Sequence, residues 1–346
     1  MHYTHQFPGG RTEYFLNSNY SQLLQLAPVS KVVIITDEQV HRQYGHLFSE
    51  YRVLIVPAGE EAKDLQTIAQ LTAKLASFEA HKHTCLIGIG GGMITDITGF
   101  LAGIYMRGIA FGFVPTTLLG MVDAAIGGKN GVNVGLYKNM LGLIRQPSFI
   151  LFDNSFLDSL PQEEWSNGFA EVIKYACIRD RELLEELFQK SLARYRSVPS
   201  ELNELIVRCV AHKNEVVLQD EQERHLRKTL NFGHTAGHAF ETIYHLKHGY
   251  AVGLGMIVAL IASEKHLALD PEVRIRLVQM LHRYGLPAKL HIDVDKVMTV
   301  LRRDKKRQND HIDFILLREA GSAEVTALSF DFIRECLKVF ASDYGN

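Results

Sequence analysis

The sequence predicts an α/β first half followed by a mostly α-helical second half. Short apolar runs alternate with amphipathic segments up to about residue 152, and helical periodicity dominates after it. The chain has 346 residues, enough for two domains. We therefore predict an α/β domain over residues 1–152 and an α-helical domain over residues 153–346. A cleft between two such domains is the default place for a site.

Four apolar runs in the first half predict buried parallel strands, because strands covered by helices on both faces are apolar throughout. Two segments near them carry apolar residues at helical spacing. The strand runs are KVVIITD (31–37), RVLIVPAG (52–59), TCLIGIGGG (84–92) and IAFGFVPTT (109–117), and the helical segments are DLQTIAQLTAKLASF (64–78) and ITDITGFLAGIYM (94–106). This order predicts an open parallel sheet whose ligands bind beyond the carboxyl ends of the strands.

The second half is predicted to be helical, with strands only at HIDFILL and EVTAL. The apolar run YAVGLGMIVALIA is too short and too rich in glycine to span a bilayer, so it predicts a buried helix. The other helical segments are QEEWSNGFAEVIKYACI, RELLEELFQKSLARY, ELNELIVRCVAHKNEVVL, PEVRIRLVQMLHRYG and FDFIRECLKVFASD.

Composition narrows the classes of function. The formal charge of −2 offers no basic surplus for nucleic acid or an anionic membrane. The amino-terminal stretch MHYTHQFPGGRTEYF lacks the features of a secretory signal. The four cysteines are scattered and form no C-x-x-C. We expect a cytoplasmic protein with reduced thiols.

Glycines after the third predicted strand indicate an anion site. In GIGGGMITD, residues 88–96, a strand ends in glycines and a helix begins, which offers free backbone N–H groups to a phosphate. A tight turn without a ligand is the alternative, and the spacing is not the dinucleotide fingerprint. Glu60 and Lys63 in PAGEEAK, and Asp37 at the end of the first strand run, are weaker candidates.

Residues 123–139, DAAIGGKNGVNVGLYKN, show little helical or strand pattern and predict a long loop. Its lysines, asparagines and exposed amides suit an anion. A plain surface loop is the alternative, but loops of this length usually serve a function.

Polar residues follow helical spacing where apolar residues are expected. Arg227, Asn231, His234, His238 and Glu241 are spaced four, three, four and three apart, within otherwise apolar sequence. Buried polar groups need partners, and a metal or an ionic ligand would supply them. Candidates for a third metal ligand are His248, Glu241, His245 and Glu171.

The sequence pattern alone does not decide the roles of two lysines, Lys174 and Lys213. Glu171 lies in an apolar helical segment and needs a metal or Lys174 as partner. Lys213 lies on the apolar stripe of its segment, where it either extends outward or meets an anion in a cavity. The charge run at residues 302–310 is typical of a solvated loop.

Motifs in one order along almost the whole chain resemble the 3-dehydroquinate synthases of the sugar phosphate cyclase superfamily. The motifs are GGGMITDITGF, RGI, VPTTLL, VDAAIGGKNGVN, KNMLG, AEVIKYACI, LRKTLNFGHTAGHAFE, HGYAVGLGM and DKK. The resemblance implies a Rossmann-like domain that binds NAD, and a helical domain that binds Zn²⁺ or Co²⁺. It also implies a homodimer that converts 3-deoxy-D-arabino-heptulosonate 7-phosphate to 3-dehydroquinate in the shikimate pathway.

The resemblance also implies roles for individual residues. Metal ligands would be Glu171, His234 and His248. NAD contacts would be Asp37, Glu60, Lys63, Gly91, Gly92, Met93, Asp96, Thr116, Thr117, Lys129, Lys138, Phe156 and Ser159. Residues at the substrate would be Asp123, Lys129, Asn139, Lys174, Lys213, Arg227, Asn231, His238, one of Lys305 and Lys306, and Arg107 from a neighbouring subunit. Within this set Lys213 and Arg227 would bind the carboxylate, while Lys129, Asn139, Asn231, His238 and Arg107 would bind the phosphate.

Three other functions are possible on this reading. A related cyclase that makes a valiolone or a deoxy-inosose acts on a substrate without a carboxylate, which leaves Lys213 and Arg227 without a role. A metal-dependent polyol dehydrogenase would release NADH and need no lysine-rich cluster. A non-catalytic scaffold would not need intact metal ligands.

Overall fold

The protein is described by a computed structural model that covers residues 1–135, 137–302, 307–308 and 310–345, with the side chains of 307 and 308 excepted. The chain forms two compact units. The first comprises residues 1–160 and 203–222, and the second comprises residues 161–202 and 223–346. A domain boundary after residue 152 stays a prediction.

The described residues form the following strands and helices. The strands are β1 (His2–Phe7), β2 (Gly10–Phe15), β3 (Val32–Asp37), β4 (Arg52–Val56), β5 (Cys85–Gly90), β6 (Ala110–Pro115), β7 (Lys129–Val134), β8 (Tyr137–Ile144), β9 (Phe149–Leu151), β10 (Arg307–Gln308), β11 (His311–Glu319) and β12 (Ser322–Ser329). The helices are α1 (Leu23–Leu26), α2 (Glu38–Tyr44), α3 (Leu65–Ser77), α4 (Gly92–Ile104), α5 (Gln162–Arg179), α6 (Arg181–Gln189), α7 (Leu192–Ser197), α8 (Pro199–Gln219), α9 (His234–Tyr244), α10 (His248–Leu267), α11 (Glu272–Arg283), α12 (Val294–Leu301) and α13 (Phe330–Tyr344).

A seven-stranded sheet organises the first unit, in the order β1-β2-β9-β6-β5-β3-β4. All neighbouring pairs are parallel except β1 and β2. The predicted parallel sheet is therefore confirmed. Every residue of β3 is buried, which explains its unbroken apolar run. The β1–β2 hairpin was not predicted, although alternation in HYTHQF and the Pro-Gly-Gly that follows are hairpin signals.

The predicted loop at residues 123–139 is wrong. Gly120–Ala124 forms a π-helical turn, and β7 and β8 pair as an antiparallel hairpin. Gly131 lies opposite Gly142 in this hairpin, and a Cβ on either would lie 2.8 Å from a backbone oxygen of the other strand. Glycine is required at these positions, and it conceals the alternation by which strands are found.

Helix α10 is the core helix of the second unit. It packs against α5, α9, α13 and β11. Its length and hydropathy would suit a membrane span, but 72% of its most apolar window is buried inside the protein. The prediction of a buried helix is confirmed.

The other second-half predictions are confirmed with two changes. Strands β11 and β12 form where HIDFILL and EVTAL predicted them, and they pair antiparallel. The segment RELLEELFQKSLARY divides into α6 and α7, because Ser191 caps the new helix by accepting from the Arg194 N–H. Helix α12 was not predicted.

Candidate functional site

The turn between β5 and α4 presents backbone donors at the carboxyl edge of the sheet. Gly91 is the N-cap of α4, and no described side chain caps the helix there. A Cβ on Gly90 would lie 2.7 Å from the Cβ of Ile94, and one on Gly92 would lie 3.0 Å from that of Ala124. The chain therefore tolerates only glycine in this tight turn, whose N–H groups suit a phosphate.

Four other predicted NAD contacts lie around this turn. Met93 and Asp96 are in the first turns of α4. Thr116 and Thr117 follow β6, the neighbour of β5, and the Thr116 N–H donates to the Gly90 carbonyl at 2.9 Å. Asp37 ends β3, which is the other neighbour of β5, so its carboxylate lies at the same sheet edge. That carboxylate already accepts from the Gln39 and Val40 N–H groups, at 2.9 and 3.0 Å, as the cap of α2.

Lys63 is the centre of a buried polar cluster. Its Nζ lies 2.5 Å from Asp96 Oδ2, 2.7 Å from Asn139 Oδ1 and 3.6 Å from Glu60 Oε1. Burial lowers the pKa of Lys63, but Asp96 and Glu60 together raise it above its usual value. Burial raises the pKa of Asp96, and Lys63 and Lys213 offset this only in part. The structure thus brings together four residues from three separate motifs.

Lys213 is buried and binds Asp123. Its Nζ lies 2.9 Å from the Asp123 carboxylate and donates to the Asp123 carbonyl at 2.7 Å. Asp123 lies in the π-helical turn, a distortion that is frequent at functional sites. Lys213 therefore does not extend into solvent but pairs with Asp123, and its binding of an anion in a cavity stays a prediction.

The remaining predicted residues of the first unit occupy varied positions. Lys129 and Lys138 are exposed on the β7–β8 hairpin. Arg107 is exposed in a turn with a positive φ of 61°. Phe156 is 2% exposed and belongs to the hydrophobic core, where Tyr44 packs edge-on at 4.8 Å. Tyr44, which the sequence did not single out, also donates to Ser159 Oγ at 2.7 Å.

Three residues converge in the second unit: Glu171 from α5, His234 at the start of α9 and His248 at the start of α10. Glu171 Oε1 lies 3.2 Å from His248 Nε2 and 3.5 Å from His234 Nε2. One donor atom of each lies within 4.8 Å of the other two. In a tetrahedral zinc site with bonds near 2.1 Å, neighbouring donors are about 3.4 Å apart. The spacing of the three residues therefore fits a divalent cation.

The backbone between the histidines is fixed by glycine. Gly233 has a φ of +78°, and a Cβ on Gly255 of α10 would lie 1.9 Å from the Gly233 carbonyl oxygen. The main chain at the start of α9 therefore lies directly against that of α10, which fixes the spacing of the two backbones that carry His234 and His248. Asn167 of α5 adds a further tie, because its Oδ1 accepts from the Gly249 N–H at 2.6 Å.

The single polar helical stripe predicted for residues 227–241 is wrong. Residues Leu226–Asn231 form a 3₁₀ helix, and α9 begins only after the left-handed Gly233. His234, His238 and Glu241 share α9, whereas Arg227 and Asn231 do not. Arg227 is buried, and the Asn231 side chain donates to Glu223 Oε1 at 2.8 Å.

Charge at the cluster is balanced locally. Lys174 forms an ion pair with the second oxygen of the fully buried Glu171. Both partners considered for this carboxylate are thus compatible: the imidazoles face Oε1 and the lysine faces Oε2. Burial lowers the pKa of His248, but contacts with Glu171 and Glu241 outweigh it and raise the pKa to about 10. A cation must therefore displace a proton there.

His238 and the lysines of the charge run complete the predicted set. The His238 ring lies 5.3 Å from that of His234 and 6.3 Å from that of His248. His238, Glu241 and His248 also form a group of possible ligands. Lys305 and Lys306 lie outside the described residues.

Comparisons with known proteins agree on one family. The family model for the 3-dehydroquinate synthase N-terminal region matches residues 53–167, and that for the C-terminal region matches residues 168–307. A 3-dehydroquinate synthase of Bacillus cytotoxicus is 37% identical over 91% of this chain and 88% of its own length. One of Streptococcus pyogenes serotype M18 is 39% identical over 84% of each chain.

Solved structures share the fold. The 2-epi-5-epi-valiolone synthase ValA of Streptomyces hygroscopicus, with NAD⁺ and Zn²⁺ bound, has a TM-score of 0.86 and 26% identity, over 98% of this chain and 97% of its own. A probable glycerol dehydrogenase of Sinorhizobium meliloti, with a TM-score of 0.67 and 14% identity, covers 97% of this chain and 98% of its own. At that identity the second likeness describes the fold alone.

Proposed function

This chain belongs to the 3-dehydroquinate synthase family, and on that premise we propose that it uses NAD and a divalent zinc or cobalt ion to convert 3-deoxy-D-arabino-heptulosonate 7-phosphate to 3-dehydroquinate and phosphate. The observation that carries the proposal is the convergence of Glu171, His234 and His248. When bound, the metal supplies Lewis-acid polarisation of a substrate oxygen, and NAD supplies a reversible hydride acceptor.

Glu171, His234 and His248 would hold the cation, and Lys174 would offset the buried carboxylate. Lys174 also lies near enough to Glu171 to limit the negative charge that a substrate would meet. His238, on the same helix as His234, would bind the substrate phosphate and hold it as it leaves. Fixed donors of this kind stabilise charge as it develops, without reorganising during the reaction.

Two groups of cationic and polar residues would bind the two ends of the substrate. Lys213 and Arg227, both buried, would take its carboxylate. For Lys213 this requires exchange of its contact with Asp123 for one with the substrate. Lys129, Asn139 and Asn231 would join His238 at the phosphate. One of Lys305 and Lys306, and Arg107 of a neighbouring subunit, would complete the pocket.

The glycine turn after β5 would bind the NAD pyrophosphate through its backbone, with support at both sides. Thr116, Thr117, Met93 and Asp96 flank it. The remaining proposed contacts with NAD are Asp37, Glu60, Lys63, Gly91, Gly92, Lys129, Lys138, Phe156 and Ser159. We also propose that the protein acts in the cytoplasm as a homodimer.

The proposal is tested by following phosphate release and NADH absorbance together. With NAD and Zn²⁺, heptulosonate phosphate should give dehydroquinate and stoichiometric phosphate with no lasting NADH. A chelator should stop release, and added Zn²⁺ or Co²⁺ should restore it. Steady NADH accumulation would instead indicate a dehydrogenase. Faster turnover of sedoheptulose 7-phosphate, which lacks the carboxylate, would indicate a different cyclase.

A further inference from the structure

His248 is engaged at both ring nitrogens. Its Nε2 faces Glu171 at 3.2 Å, and its Nδ1 lies 3.6 Å from Glu241 Oε2. An imidazole that binds a cation through Nε2 is neutral and carries its proton on Nδ1. The Glu241 carboxylate lies beside that proton, within ion-pair distance, and a shift of a few tenths of an ångström would bring it into hydrogen-bond range.

His234 is supported differently. Its Nδ1 lies 3.1 Å from the backbone carbonyl oxygen of Phe232. A carbonyl fixes the tautomer without adding charge, whereas Glu241 fixes it and brings a full negative charge. The two imidazoles of the cluster are therefore oriented by different kinds of group, one neutral and one charged.

Helix α9 places Glu241 beside His248. Glu241 lies two turns after His234 on the same helix, so both side chains lie on one face of α9. It is 9% exposed. Leaving a carboxylate largely out of water is costly unless it serves a partner.

We propose that Glu241 is a positioning residue of the metal site, which orients His248 and raises its affinity for the cation without binding the cation itself. The inference deepens the proposed function and depends on the metal site within it. The other arrangement, in which Glu241 binds the cation directly with His238 and His248, predicts a different outcome below.

The test measures metal binding rather than turnover. Zn²⁺ affinity would be determined by competition with a chromophoric chelator for the parent, Glu241→Gln and Glu241→Leu, together with the visible spectrum of each Co²⁺-loaded protein. Glutamine still accepts from Nδ1 but lacks the charge, so we expect affinity to fall about tenfold. Leucine removes both, so we expect a loss nearer a hundredfold. The Co²⁺ band should keep its shape in Glu241→Gln and shift in Glu241→Leu.

A matched control is Glu264→Gln on α10. Glu264 is a largely buried carboxylate paired with Arg274 at 2.6 Å and is remote in sequence from His248. Its loss removes an ion pair from the helix that carries His248 and should leave Zn²⁺ affinity unchanged. A loss of affinity equal to that of Glu241→Gln would mean that general destabilisation, not positioning, is measured, and would overturn the proposal.

Two further results would overturn it. If Glu241→Gln binds Zn²⁺ as tightly as the parent protein, the proposal is overturned, even if Glu241→Leu does not fold. A changed Co²⁺ band in Glu241→Gln, with affinity lost as fully as in Glu241→Leu, would make Glu241 a direct ligand. His234→Ala distinguishes a failure of the premise: it should abolish Zn²⁺ binding, and parent affinity there would refute the metal site itself.

Discussion

The glycine turn after β5 and the histidine cluster at α9 and α10 present opposite kinds of group to a ligand, the first backbone atoms and the second side chains. The turn offers backbone N–H groups, and its side chains are absent because Gly90 and Gly92 have no room for a Cβ. The cluster offers side-chain donors, and glycine serves there to bring two backbones into contact and to allow the left-handed turn at Gly233. A backbone site is therefore disrupted by adding atoms and a side-chain site by removing them.

The largest effect is expected from removing a donor in the cluster. His234→Ala should lower turnover roughly a thousandfold, because Lewis-acid polarisation contributes several kcal/mol and each 1.36 kcal/mol is about tenfold. Phosphate release would measure it, with circular dichroism to check the fold. His245→Asn, at an exposed left-handed position outside the cluster, is the control and should be near parent activity. If His234→Ala and His245→Asn lose turnover equally, the cluster does not have the special role that the comparison gives it.

A large effect on stability is expected at the polar cluster of the first unit. Lys63→Met leaves Asp96 without its 2.5 Å partner, so the free energy of unfolding should fall by roughly 3 kcal/mol. Denaturant titration would measure it. Burial already raises the pKa of Asp96, and the variant lacks the cation that opposes this. The folded state then takes up a proton more readily than the unfolded state, so stability should recover as pH falls from 8 to 5. A deficit that grows on acidification would contradict this.

A smaller effect is expected from adding one carbon to the turn. Gly90→Ala places a Cβ against Ile94 and should lower stability by about 1–3 kcal/mol. Displaced N–H groups should also weaken NAD binding, while Zn²⁺ affinity stays at the parent value. Calorimetric titration with each ligand would show this. The control is Gly253→Ala on α10, whose added Cβ meets only the terminal carbons of Leu281, the nearer at 3.2 Å. Loss of Zn²⁺ affinity in Gly90→Ala would show that the glycine turn and the histidine cluster are not independent sites.

The smallest effect concerns thiols, one from each unit. Burial raises the pKa of Cys85 in β5 and of Cys177 in α5 to about 12. Because this pKa is about three above the usual 9.0, the fraction of each thiol that is ionised at pH 8 is about a thousandth of that of an ordinary cysteine. Both should resist alkylation at pH 8 in the native protein and react at once after unfolding, which mass spectrometry would follow. Rapid native labelling of Cys177 would reveal opening around Glu171, six residues earlier.

The sequence predicted the parallel sheet well because β3, β5 and β6 are almost entirely apolar, and polar residues or glycines mark their carboxyl ends. It failed at β7 and β8, where paired glycines conceal alternation. Periodicity placed His234, His238 and Glu241 on one helix face, but it could not reveal that the left-handed Gly233 separates them from Arg227 and Asn231. Tyr44 was missed because a tyrosine in a short polar helix carries no distinguishing pattern. Contacts such as Lys63 with Asn139 join residues distant in sequence, so no local pattern predicts them.

Direct contact between the backbones at Gly233 and Gly255 has a further consequence. The spacing of the two backbones that carry His234 and His248 is set there by main-chain atoms rather than by side-chain packing. Side chains that we propose to contact the substrate, such as His238, can therefore be replaced without changing the backbone spacing on which the proposed metal site depends.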